Sequence, residues 1–175
     1  MKQAILILTL LLSLAGASVF AQDVYRNTRH HDTCGQRCRH HRPHYIVSGA
    51  KVYYDGREVQ DASASSFSIL RDGYARDTWN VYFRGNKIEG ASSSSFTVLG
   101  QGYAKDTWEV YFNGRKIKDA SASSFQVLHC GYAKDTWNVY YDGVRIDGAS
   151  PGSFKVLSDG YAKDTWETYY CGRKI

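Results

Sequence analysis

The sequence predicts an all-β fold: tandem 29-residue antiparallel β-hairpin repeats forming an elongated solenoid-like array, with single helical turns in the connectors. Three observations carry that prediction. Asp-Thr-Trp recurs with Trp79, Trp108, Trp137 and Trp166 at a constant spacing of 29 residues, and these are the four tryptophans of the chain. Phe67, Phe96, Phe125 and Phe154 keep the same spacing, as do Gly73, Gly102, Gly131 and Gly160. Short runs of aromatic and β-branched residues, separated by turn residues, fill the intervals in the manner of strands. A period this regular marks stacked supersecondary units, each too small to bury its own apolar face and therefore covered by its neighbours.

The chain opens with Met1-Lys2-Gln3 and an apolar run from Ala4 to Phe20, closing on Val19-Phe20-Ala21. Residues 1–21 read as a secretory signal cleaved after Ala21; the run is short for a membrane span and is broken by Ser13, Gly16 and Ser18. The protein is thus expected to be exported, to the periplasm, in association with the outer membrane, or to the medium. Residues 22–43 form a basic, His- and Cys-rich segment in which Arg26, Arg29, Arg37, Arg39 and Arg42 face only Asp23 and Asp32. Removing the signal takes away Lys2, so the repeats keep only about one net positive charge, too little for a groove that must neutralise many phosphates. Nucleic acid is therefore not an expected partner. Contact of the basic stretch 26–42 with a membrane surface is compatible with its charge.

The repeat domain, 44–175, divides into five 16-residue modules (44–59, 73–88, 102–117, 131–146 and 160–175) joined by four 13-residue connectors. In the module 131–146, Asp142-Gly143 is a strong hairpin signal, because two-residue primed turns need residues that tolerate positive φ. Asp55-Gly56, Arg84-Gly85, Asn113-Gly114 and Cys171-Gly172 stand at the same place in the other copies. Asp135 is expected to cap the preceding turn by accepting hydrogen bonds from amides two and three residues on. Each module then becomes three short antiparallel strands. Alternation puts Val139 and Tyr141 on one face and Asn138 and Tyr140 on the other, so the sheet should be covered on both sides. Trp137, at the turn-to-strand junction, is expected to cover the neighbouring repeat.

Connectors follow Ala-Ser-x-x-Ser-Phe-x-Val/Ile-Leu, with Ser63, Ser92, Ser121 and Ser150 in N-cap positions and Pro151 at a first helical position. Only one helical turn fits before the phenylalanine. The Phe-x-Val-Leu segment should then form a fourth strand.

Gly131-Tyr132-Ala133-Lys134-Asp135, followed by Val139-Tyr140-Tyr141-Asp142-Gly143 and a Lys/Arg-Ile ending, resembles the DKNYY-repeat family of exported bacterial proteins across residues 44–175. Where the family's name describes Asp-Lys-Asn-Tyr ahead of a Tyr-Tyr pair, this chain has Asp135-Thr136-Trp137-Asn138, so Trp replaces a turn Asn. The resemblance implies an uncharacterised repeat module of the cell envelope and carries no catalytic residues across. Module 1 departs further: His44-Tyr45-Ile46-Val47-Ser48-Gly49-Ala50 keeps the tyrosine and loses Asp and Trp, as the end unit of an array would.

Residues that break the repeat are the other candidates. Cys130 and Cys171 replace polar turn residues in adjacent modules, and a disulfide between them is predicted, closing a loop that would add about 4 kcal/mol on the chain-entropy model. His30, His31, Cys34, Cys38, His40, His41 and His44 concentrate metal-donor groups suited to zinc or copper, although a disordered basic tail whose cysteines form a small-loop disulfide is the preferred account of them. No cofactor is otherwise expected. No Gly-x-Ser-x-Gly, phosphate loop or paired-carboxylate motif is present. The sequence therefore points to a non-enzymatic binding or structural module whose partner is a protein or polysaccharide of the envelope. The candidate contact surface is Trp79, Trp108, Trp137 and Trp166 with Tyr82, Tyr111, Tyr140 and Tyr169. A metal-handling protein and an envelope enzyme with an unfamiliar site are the alternatives.

Overall fold

Primed two-residue turns set the geometry. In residues 44–175, the part of the chain that the computed structural model describes, Asp55-Gly56, Arg84-Gly85, Asn113-Gly114, Asp142-Gly143 and Cys171-Gly172 have both residues at positive φ, between 44° and 80°. That is the type I′ backbone, whose twist matches the strands it joins. Asp72-Gly73, Gln101-Gly102, Cys130-Gly131 and Asp159-Gly160 form a second such set, with φ between 53° and 84°. The expected signal at 1–21 and the basic segment at 22–43 lie outside the described residues.

These turns fold the chain into five antiparallel sheets in tandem. The first holds β1 (Tyr45–Ser48), β2 (Lys51–Tyr54) and β3 (Arg57–Glu58). The second holds β4 (Ser68–Ile69), β5 (Tyr74–Arg76), β6 (Val81–Phe83) and β7 (Asn86–Lys87). The third holds β8 (Thr97–Gly100), β9 (Tyr103–Lys105), β10 (Val110–Phe112) and β11 (Arg115–Lys116). The fourth holds β12 (Gln126–Val127), β13 (Tyr132–Lys134), β14 (Val139–Tyr141) and β15 (Val144–Arg145). The fifth holds β16 (Lys155–Val156), β17 (Tyr161–Lys163), β18 (Thr168–Tyr170) and β19 (Arg173–Lys174). Strands within each sheet follow sequence order, so every connection is between neighbours. The connector segment Phe-x-Val/Ile-Leu supplies the fourth strand, as expected from its pattern.

Both faces of an inner sheet are buried because each carries one half of a repeated contact. In the second sheet Ala75 and Tyr82 pair across β5 and β6 and pack back onto Tyr45, Val52 and Val59. Tyr74 and Val81, on the other face, pack forward onto Ala104 and Tyr111 of the third sheet. The same exchange recurs at the next two steps, giving four cores between five sheets. A connector phenylalanine sits between the tyrosines at each step: Phe96 lies 5.4 Å from Tyr74 and 5.6 Å from Tyr111, ring centre to ring centre. Apolar filling is joined by a hydrogen-bonded clasp. The Tyr74 hydroxyl donates to the Gly102 carbonyl (2.9 Å) and accepts from the Gly114 amide (3.0 Å), and Tyr45, Tyr103 and Tyr132 repeat the arrangement.

Connectors make short turns, 3₁₀ over Ala64–Ser66 and Ser93–Ser95. Ser63 and Ser92 occupy the N-cap positions, but neither side chain caps. Their hydroxyls turn to Ser65 and Ser94, and their amides serve a different acceptor described below. The stack is open. Tyr161 on the fifth sheet is 42% exposed and Ile46 on the first is 50% exposed, whereas their inner counterparts Tyr132 and Ala75 are fully buried.

Candidate functional site: the tryptophan turns

Four residues, Asp77 to Asn80, link β5 to β6, and the loop is organised by one carboxylate. The Oδ1 atom of Asp77 accepts the amides of Trp79 (2.8 Å) and Asn80 (2.7 Å). Its Oδ2 atom accepts the Ser63 amide and the Tyr82 hydroxyl, each at 2.9 Å. The Asp77 amide donates to the Asn80 carbonyl (3.0 Å), closing the loop. Asp106 and Asp135 hold their own loops with the same four bonds, between 2.7 and 2.9 Å. Asp164 does so as well, between 2.8 and 2.9 Å. The two local amide bonds are those the sequence predicts. The Ser and Tyr bonds, which tie the loop to the preceding connector and to the strand below, carry no local sequence signal.

Charge follows from this geometry. Burial alone would raise the carboxyl, but three amides and a phenol aimed at it outweigh that effect. They hold Asp77, Asp106 and Asp135 below the ordinary carboxylate range and Asp164 at about 2. Burial, then the adjacent carboxylate, pushes the phenols of Tyr82, Tyr111 and Tyr140 well up, and that of Tyr169 to about 12.

The two aromatic sets of the expected contact surface part company here. Tyr82, Tyr111, Tyr140 and Tyr169 are buried to within 1% and belong to the inter-sheet cores, so they present no surface. Their hydroxyls are directed at the loop carboxylates, which is why an otherwise polar-tipped ring is accommodated. Trp79, Trp108, Trp137 and Trp166 do not cover the neighbouring repeat as expected. They project from the loops at 79%, 78%, 74% and 80% exposure. The tyrosines and connector phenylalanines already fill the space between sheets, which leaves the indoles no place in it.

Among the described residues no three His, Cys, Asp or Glu side chains converge as a metal-binding group. Of the candidate donors, His30, His31, Cys34, Cys38, His40 and His41 lie outside the described residues. His44, exposed, lies 3.1 Å through Nδ1 from Asp55 Oδ1. Cys130 and Cys171 are in adjacent sheets, each the first residue of a type I′ turn. The structure shows no disulfide between them. At the equivalent positions of the neighbouring copy, the Gly131 amide donates to Gln101 Oε1 (2.8 Å), and Asp142 Oδ1 lies 2.5 Å from where a Cβ on Gly131 would stand.

A family model described as the DKNYY family matches residues 45–173. The chain belongs to the DKNYY family. Comparison with curated proteins and with solved structures returned no match. The match spans all five sheets, so the stacked, clasped architecture is this DKNYY chain's repeat, and the exposed indoles are mounted on it at the loop where the sequence departs from the pattern in the family's name.

Proposed function

We propose that this DKNYY-family chain is an exported, non-enzymatic repeat protein that binds a partner at the bacterial cell envelope through its row of tryptophans. One observation carries the reading: every tryptophan of the chain is solvent-exposed, at the same place on four loops fixed by the same carboxylate. An isolated exposed apolar residue needs no explanation, but four identical ones on rigid mounts are an array. Covering one indole removes roughly 150–250 Å² from water, a gross gain of about 4–6 kcal/mol before the costs of association. The pinned loops lower those costs, since little backbone freedom remains to be lost on binding.

The apolar leader at 1–21 supports export, and envelope residence follows from export together with the family resemblance. The non-enzymatic reading draws on the same repetition, because catalysis needs one constellation and not four copies. The test is co-sedimentation of the exported chain with isolated bacterial envelopes. Wild type is expected to bind saturably, and the variant with all four tryptophans changed to alanine to bind about tenfold more weakly or less with its circular dichroism unchanged. Equal retention of the two would refute the reading.

A further inference from the structure

Three of the four exposed indoles stand on loops that one carboxylate joins to a connector carrying a pair of hydroxyls. Asp77 holds the Trp79 amide on Oδ1 and the Ser63 amide on Oδ2, so loop and connector are pinned together. The Thr78 amide donates to Ser66 Oγ at 3.2 Å, a second tie between them. On the connector the Ser63 and Ser65 hydroxyls pair at 3.2 Å in an exposed position. Ser92 with Ser94 (3.3 Å) and Ser121 with Ser123 (3.2 Å) repeat the pair on the connectors pinned to the Trp108 and Trp137 loops. In the last copy Gly152 replaces the second serine, so Trp166 lacks the pair.

Ionic groups around these patches are already engaged. The loop aspartates are buried and fully bonded. Glu109, next to Trp108, pairs with Lys116, and Glu167, next to Trp166, pairs with Lys174. Arg76, Lys105 and Lys134 donate to the carbonyls of Ser93, Ala122 and Pro151 in the following connectors. What remains for a ligand is an indole face and a rim of hydroxyl donors and acceptors, with the nearby cations held on backbone carbonyls.

We propose that the Trp–serine patches form a binding site for a neutral polysaccharide, the sugar rings stacking their C–H faces on the indoles and their hydroxyls bonding to the serine pairs. This rests on the tryptophan row being the contact surface, and adds the ligand class. A pyranose ring has the matching division, an apolar face bordered by hydroxyls, each both donor and acceptor like serine. A phosphate- or sulfate-bearing polymer would need cations free to fork onto its oxygens, whereas Arg76, Lys105 and Lys134 are held on connector carbonyls. A bilayer would favour a continuous apolar belt over indoles set beside hydroxyls. Successive sheets stack at roughly 10 Å, so only an extended polymer reaches more than one patch, and affinity must grow with its length.

Intrinsic fluorescence reads the site directly, because the tryptophans of the patches are the only ones in the chain. The exported chain is titrated with linear β-linked oligosaccharides of glucose and of N-acetylglucosamine, from disaccharide to octasaccharide. A saturable emission change is expected, with the midpoint falling about tenfold or more from the shortest to the longest sugar as further patches engage. Changing Ser63, Ser65, Ser92, Ser94, Ser121 and Ser123 to alanine should weaken the octasaccharide about fivefold or more, one lost hydrogen bond's worth, without loss of the folded circular dichroism signal. No saturable change with any of these sugars overturns the proposal, as does an equal or stronger response to heparin or to phosphatidylglycerol–phosphatidylethanolamine vesicles. If envelope retention depends on the tryptophans while the sugars fail, only the ligand class falls; if retention is independent of them, the contact surface itself falls.

Discussion

The loop aspartate and its tryptophan neighbour are two residues apart and answer to different demands. Asp135 satisfies four donors, among them the buried hydroxyl of Tyr140. Asp135→Asn replaces one accepting oxygen by an amide group that cannot accept, and should cost about 1–3 kcal/mol for the donors left unpaired, seen as a lower midpoint in urea unfolding. The pH dependence has a definite sign. The loop carboxyls are depressed in the folded state, Asp164 to about 2 from 3.8, so their contribution is complete above the unfolded value and fades as pH falls through the folded one. Tyr45 and Tyr169 are raised to about 12 from 10.0, chiefly by burial, so theirs is complete below 10.0 and fades as pH rises towards 12. Melting temperature followed against pH should therefore show a plateau with an acid fall between about 4 and 2 and an alkaline fall above about 10. A fall beginning near neutrality would contradict the assignment.

At the level of the element, the type I′ turns carry two requirements in one glycine. Gly143 has φ 78°, and a Cβ there would lie 2.6 Å from the Cβ of Phe112 in the preceding sheet. Gly56 has φ 77° in the same turn of the first sheet, with nothing within 4 Å. Gly56→Ala should thus cost only the left-handed backbone term, about 1–2 kcal/mol, and Gly143→Ala distinctly more, in paired unfolding measurements. Strands, turns and the fourth connector strand were legible in the sequence because they depend on local spacing, and the aspartate's amide bonds were legible for the same reason. The clasp of Tyr74 on Gly102 and Gly114 was not, since it joins groups 28 and 40 residues apart. Nor was the fate of the tryptophans. Tyr, Phe and Trp are all plausible fillers of an inter-sheet gap, and only the packing decides that Tyr74, Phe96 and Tyr111 fill it. Ser63 and Ser92 stand at N-caps as the pattern predicts but do not cap, because their hydroxyls pair with Ser65 and Ser94 and the Ser66 amide goes to the Ser63 carbonyl.

Across the whole molecule, nearest-neighbour stacking means that a residue's worth depends on whether a further sheet covers it. Val81, Val110 and Val139 are fully buried by the following sheet, while Thr168 stands at the same position on the fifth sheet and is exposed. Val110→Thr should cost about 1–3 kcal/mol for a hydroxyl buried without a partner, whereas Thr168→Val should change stability by no more than about 0.5 kcal/mol in thermal unfolding. The same logic separates scaffold from contact surface: tyrosines and phenylalanines between sheets hold the stack, and tryptophans outside it are free to serve something else. The most direct test is the unfolding free energy of the variant with Trp79, Trp108, Trp137 and Trp166 all changed to alanine, set beside wild type in urea. Exposed indoles predict a loss of no more than about 0.5 kcal/mol per site. A loss of about 3–5 kcal/mol per site, as for buried aromatic rings, would show that the tryptophans hold the repeats together.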